Sequence, residues 1–91
     1  MIISALDWSS SEELEQRVTE ARRAIANLTE RQRQVLQGVL LGNSNKQIAR
    51  DLGISHRTVE NHRACMMDRL RAKSTADAVR IAIYAEIEGG D

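Results

Sequence analysis

The sequence holds 91 residues, 42% of them hydrophobic, which suffices for one small domain and leaves little stability to spare unless a partner covers part of its surface. Trp8 and Tyr84 are its only aromatic residues of the Phe, Trp and Tyr class, so stacking platforms of the single-strand or RNA-binding kind are excluded, and the absence of Pro with helical periodicity throughout points to an all-α fold. The formal net charge is zero but unevenly placed: ten basic and five acidic residues lie between positions 29 and 82, five acids and three bases precede them and three acids follow, so a basic middle suited to a polyanion sits between acidic ends.

Other classes fall away for local reasons. A single cysteine, Cys65, excludes an internal disulfide and fits a reducing compartment. No apolar run approaches membrane-spanning length, and the stretch 1–6 is too short and lacks the basic start of a secretion signal, so a cytoplasmic protein with no membrane partner is expected. There is no arrangement of nucleophile and base and no glycine-rich phosphate loop, so no enzymatic activity and no cofactor are expected. His62 and Cys65 lie three apart on one helix, but a zinc site needs three or four converging ligands and no second cysteine exists, so no metal is expected.

In chain order, the first element is a helix expected over 11–28. Ser9 and Ser10 are each followed three residues later by Glu, the pattern of a capped helix start. Leu14, Val18, Ala21, Ile25 and Leu28 recur at spacings of 4, 3, 4 and 3, a heptad stripe. Two readings of that stripe stand side by side: a dimer or linker helix, and a helix packed on its own domain.

The most informative segment is Lys46-Gln47-Ile48-Ala49-Arg50-Asp51-Leu52-Gly53-Ile54-Ser55-His56-Arg57-Thr58-Val59-Glu60-Asn61-His62-Arg63. It reads as two helices joined by a tight turn, because Gly53 takes positive φ without steric cost and Ser55 caps the helix that starts near His56. Ile54 is expected to anchor the turn in the core. On the second helix, at 100° per residue, Val59, Met66 and Leu70 share an inward stripe with His62, Arg63 and Arg69 at its margins. Arg57, Asn61, Ala64 and Asp68 fall opposite, flanked by Glu60, Cys65 and Arg71, a polar face of the width a DNA major groove accepts. Asn61 can donate and accept at an adenine edge, and Ala64 allows close approach or touches a thymine methyl. Arg57 reaches a phosphate or a guanine from the first turn, and the Thr58 hydroxyl can add a phosphate contact at the helix N-terminus.

These residues, with Leu28-Thr29-Glu30-Arg31-Gln32-Arg33-Gln34-Val35-Leu36 before them, Gly42-Asn43-Ser44-Asn45 between, and Lys73-Ser74 after, make the chain from Leu28 to about Ala85 resemble the C-terminal DNA-binding domain of LuxR-type transcription factors, in the branch with FixJ-type response regulators. The resemblance implies a four-helix LuxR-type helix-turn-helix domain with helices near 29–41, 45–52, 56–71 and 75–86 or slightly beyond, preceded here by the additional N-terminal amphipathic helix. The implied division is a linker or dimerisation segment over 1–27 and a DNA-binding domain over 28–91. Carried over by position, Asn45, Lys46, Arg57, Thr58, His62 and Arg63 resemble phosphate contacts, and Glu60, Asn61 and Ala64 resemble base-edge contacts. Glu60 accepts from cytosine N4 in that role, or else pairs with Arg57 or Arg63 and orients them.

The fourth helix is capped by Ser74 or Thr75 with Asp77 near its start, and Ala76, Ala78, Val79, Ile81, Ala82, Ile83, Ala85 and Ile87 make it apolar around most of its circumference. One stripe belongs to the core and another calls for a partner. The resemblance makes this helix a homodimer surface, with Ala78, Ile81, Ala82 and Ala85 as candidates, and a twofold dimer implies an inverted-repeat operator. In multidomain relatives a helix like 11–28 joins a receiver to the DNA-binding module; too little chain precedes Leu28 to build one, which leaves a stand-alone regulator or a piece of a larger sensor. Two rivals share these features: a sigma-type promoter-binding domain with RNA polymerase as partner, and an interaction protein that titrates another regulator through its helices.

Overall fold

A computed structural model describes residues 2–86, with side chains from residue 12 onward. Five helices form and no strand occurs among the described residues: α1 (Ile2–Ala26), α2 (Glu30–Leu40), α3 (Asn45–Leu52), α4 (His56–Leu70) and α5 (Thr75–Glu86). The all-α expectation holds, and the four later helices fall within a residue or so of their expected bounds.

The helix ends are set by local chemistry. At the start of α2 the Thr29 hydroxyl accepts from the Gln32 backbone N–H at 3.0 Å, while the Gln32 side chain accepts from the Thr29 N–H at 3.0 Å. Ser44 and Gln47 repeat the reciprocal pair at the start of α3, at 3.2 and 2.9 Å. Both are Ser/Thr-x-x-Gln boxes that satisfy two otherwise orphaned donors. We expect Thr29→Ala and Ser44→Ala each to cost about 1 kcal/mol, read as a lower denaturation midpoint at unchanged slope; an unchanged midpoint would show the boxes to be ornamental.

Helices α2, α3 and α4 close in one way. A residue at positive φ follows the helix, at Gly42 (81°), Gly53 (69°) and Arg71 (56°). Its N–H and that of the next residue then turn back onto the last carbonyls, as in Gly53 to Arg50 at 3.3 Å and Ile54 to Ala49 at 3.0 Å. The recognition turn is therefore specified at Gly53 as expected. Ile54 is half-buried against the core.

The core joins Leu28, Val35, Leu36, Val39, Ile48, Ala49, Val59, Met66, Leu70, Ala78 and Ala82. It contains Gly38 in its wall: a Cβ placed there would lie 2.6 Å from Ile48 Cγ1 and 2.9 Å from Cδ1, so α3 approaches the α2 backbone more closely than any side chain allows. That contact fixes the first helix of the turn motif against the rest of the molecule.

One expectation is corrected, and another is settled in part. The first helix starts at Ile2, so Ser9 and Ser10 lie within it and are not its caps. Neither Gly nor Pro interrupts residues 2–26, and once nucleated the helix propagates through three serines at small cost. The heptad stripe is divided: Val18, Ala21 and Leu28 are buried and Ala24 and Ile25 half-buried as α1 packs across α5 and the end of α4, while Leu14 remains 39% exposed. From Val18 onward, the stripe serves packing within the chain. No described helix is long and apolar enough to cross a membrane.

Candidate nucleic-acid interface

The α3–α4 pair presents one helix edge-on. Ser55 caps α4, accepting from the Thr58 N–H at 3.0 Å, and Val59, Met66 and Leu70 are buried beneath it. On the far side Arg57, Glu60, Asn61, Ala64, Cys65, Asp68 and Arg71 are all exposed, and His62 and Arg63 are half-buried at the margin. This is the arrangement expected from periodicity, since a stripe repeating every three to four residues can face only one way.

The individual side chains differ in freedom. Arg57 and Lys46 are exposed, and neither has a hydrogen bond or ion pair among the described residues. Asn61 and Ala64 likewise stand clear on the surface. The Thr58 hydroxyl lies 2.7 Å from the Ser55 hydroxyl. With Ser55 donating, Thr58 keeps its own proton for an incoming phosphate at the helix N-terminus.

Glu60 does not pair with Arg57 or Arg63. Its carboxylate lies 3.7 Å from His56 Nδ1 one turn back, with both side chains about half exposed. For Arg63 the physical reason is that it is engaged elsewhere: its Nη1 donates to Asn45 Oδ1 and its Nη2 to Thr75 Oγ1, both at 2.9 Å. Asn45 and Arg63, placed together among the expected phosphate contacts, are thus bonded to one another. Thr75, offered as a cap for α5, serves as an acceptor for Arg63, while Ser74 caps the helix through the Asp77 N–H at 3.1 Å. Asp77 accepts from the Lys73 backbone N–H at 3.0 Å and from Arg80 at 3.1 Å, which hold its carboxyl below the usual carboxylate range.

The dimer candidates on α5 separate by depth. Ala78 and Ala82 are 0% and 7% exposed and belong to the core, so they are not surface residues; their small size lets α5 settle onto its neighbours. Ile81 and Ala85 are half-buried on the same side. The outward apolar stripe is Ala76, Val79 and Ile83, the last 58% exposed; Ile87 lies outside the described residues. Periodicity could not sort these faces because, apart from the side that carries Asp77 and Arg80, the helix is apolar all round. Arg69, placed at the α4 margin by the sequence, donates to the Asn27 carbonyl at 2.8 Å and ties the end of α4 to the end of α1.

Residues 26–82 match the model of the family described as bacterial regulatory proteins, luxR family. The chain belongs to the luxR family. Its helix-turn-helix is that of a DNA-binding transcriptional regulator domain, and the resemblance drawn from the sequence is confirmed. This luxR-family chain is 45% identical over 73 residues to the transcriptional regulatory protein FixJ of Azorhizobium caulinodans, covering 80% of this chain and 35% of that protein. To FixJ of Rhizobium meliloti it is 52% identical over 62 residues, covering 68% and 30%. The response regulator protein TodT of Pseudomonas putida is 42% identical over 65 residues, with 71% and 29% covered. The chain therefore spans about a third of the length of these relatives. The crystal structure of full-length FixJ from B. japonicum superposes with a TM-score of 0.74 at 39% identity, over 81% of this chain and 36% of that one.

Proposed function

We propose that this luxR-family chain is a sequence-specific transcriptional regulator that lays α4 in the major groove of duplex DNA. The observation that carries the reading is the two-sidedness of α4, with Val59, Met66 and Leu70 locked inside and Arg57, Asn61 and Ala64 exposed on the opposite edge. Glu60, Asn61 and Ala64 face base edges. Arg57, Lys46, Asn45, Thr58 and His62 serve as phosphate contacts, four of them in the first turns of α3 and α4, where the helix N-termini favour an anion.

The protein binds as a homodimer at an inverted repeat with half-sites about one helical turn of DNA apart. With Ala78 and Ala82 in the core, the pairing surface moves to Ala76, Val79 and Ile83. Residues 28–91 carry DNA binding in this reading, and residues 1–27 supply a linker or dimer helix whose free contact surface lies around Leu14. The setting is the cytoplasm, where duplex DNA and reduced thiols coexist.

Selection of bound fragments from random duplexes, followed by titration of the selected site, tests this. Asn61→Ala should lose roughly 1–3 kcal/mol of discrimination at one base pair and leave other positions alone. Arg57→Ala and Lys46→Ala should weaken all sequences alike, each lowering the slope of log affinity against log salt by about 0.9. Binding untouched by all three substitutions would mean that another surface reads the DNA.

A further inference from the structure

The Arg63 guanidinium touches the starts of both α3 and α5 from the middle of α4. One N–H on each of its terminal nitrogens is engaged, that of Nη1 by Asn45 Oδ1 and that of Nη2 by Thr75 Oγ1, each at 2.9 Å. A guanidinium is planar and carries only donors, so anchoring both ends holds its plane. An arginine so held does not swing out to a phosphate. It also decides the orientation of its partner: only the oxygen of the Asn45 amide can face a guanidinium, so the Asn45 Nδ2 must point the other way. That nitrogen has no partner among the described residues and is not buried. It stands on the first residue of α3, where the helix N-terminus already favours an anion.

Building on the DNA-binding reading above, we infer that Arg63 is a positioning residue rather than a phosphate contact: it fixes the Asn45 side-chain amide with its NH₂ group outward, as a ready donor to a DNA phosphate oxygen. Without Arg63 the amide rotates freely, and in half of its orientations presents an oxygen to the phosphate. Thr75 holds the other end of the fork, so the same arginine sets α5 against the DNA-reading pair.

The experiment measures salt-dependent affinity for the selected duplex with the full chain and with Arg63→Met, Asn45→Ala, their double mutant and Asn45→Asp, each checked by circular dichroism and thermal unfolding. Arg63→Met is expected to weaken binding about tenfold at low salt with the wild-type salt slope retained, because an uncharged amide donor releases no counterion. In the Asn45→Ala background the same substitution should change affinity less than about twofold, since the group it orients is gone. Asn45→Asp keeps an acceptor for Arg63 and suits a helix N-terminus, so it should fold at least as well as wild type yet bind at least tenfold more weakly, its outward oxygen repelling phosphate. Should Arg63→Met be poorly folded, the Asn45→Asp result decides alone.

A salt slope lowered by about 0.9 in Arg63→Met would make Arg63 a direct phosphate contact and overturn the inference. Losses that multiply in the double mutant, or Asn45→Asp binding as wild type, would overturn it equally. The DNA-binding reading fails differently: wild-type protein would show no salt-dependent duplex binding, and Arg57→Ala would change nothing.

Discussion

Gly38→Val is expected to leave the protein largely unfolded at room temperature, and Gly38→Ala to destabilise it by about 1–2 kcal/mol, although alanine ordinarily stabilises a helix interior by close to 1 kcal/mol over glycine. The sign is decided by Ile48. A Cβ at position 38 would lie 2.6 Å from its Cγ1, and the Ile48 side chain, 2% exposed and packed in the core, must give way by several tenths of an ångström or more to admit it. The added methyl must push α3 away from α2, which shifts Asn45 and Lys46 at the start of α3 as well. Chemical denaturation of Gly38→Ala, Ile48→Ala and the double variant checks this: truncation at 48 makes room for the methyl at 38, so the double should be more stable than the sum of the singles by at least about 1 kcal/mol. A Gly38→Ala protein more stable than wild type would show the contact to be loose.

Met66→Ala carries the second large effect, about 3 kcal/mol within the 2–5 kcal/mol span of such truncations, because Met66 is fully buried at the centre of the inner α4 stripe. For a domain of this size that corresponds to a fall in melting temperature on the order of 10–20 °C. The contrast with Asn61→Ala is diagnostic, since Asn61 is exposed and its truncation should leave stability within about 0.5 kcal/mol of wild type. Melting curves and DNA titrations on both variants should therefore separate cleanly. Met66→Ala should recover affinity when cooled well below its midpoint, and Asn61→Ala should not. A Met66→Ala protein melting within about 2 °C of wild type would mean that its neighbours repack without loss.

What the sequence disclosed follows from the range over which each signal acts. The Gly53–Ser55 turn was legible because a left-handed residue and a cap are each decided by their own few neighbours. The inward stripe of α4 was legible because Val59, Met66 and Leu70 stand out against polar residues. On α5 the same reasoning failed: with apolar residues on all but the Asp77–Arg80 side, nothing marked Ala78 and Ala82 as the core pair and Ile83 as the exposed one. Ser9 and Ser10 looked like a helix start because hydroxyls favour caps, yet no breaker precedes them and the helix continues to Ile2. The Arg63 fork was out of reach altogether, since its partners lie 18 and 12 residues away in sequence and meet only once three helices have packed. With that fork occupied, Glu60 turned to His56.

The packing of α1 on α5 bears on where the folded module begins. The luxR-family match begins at residue 26, yet Val18 and Ala21 before it are buried on a helix that packs against α5. Excised at that border, the family's minimal unit would expose a flank of α5 that water does not touch in the intact chain. The leading helix is thus part of what keeps that flank dry in the intact chain, and a module cut without it should be less stable than one that retains it.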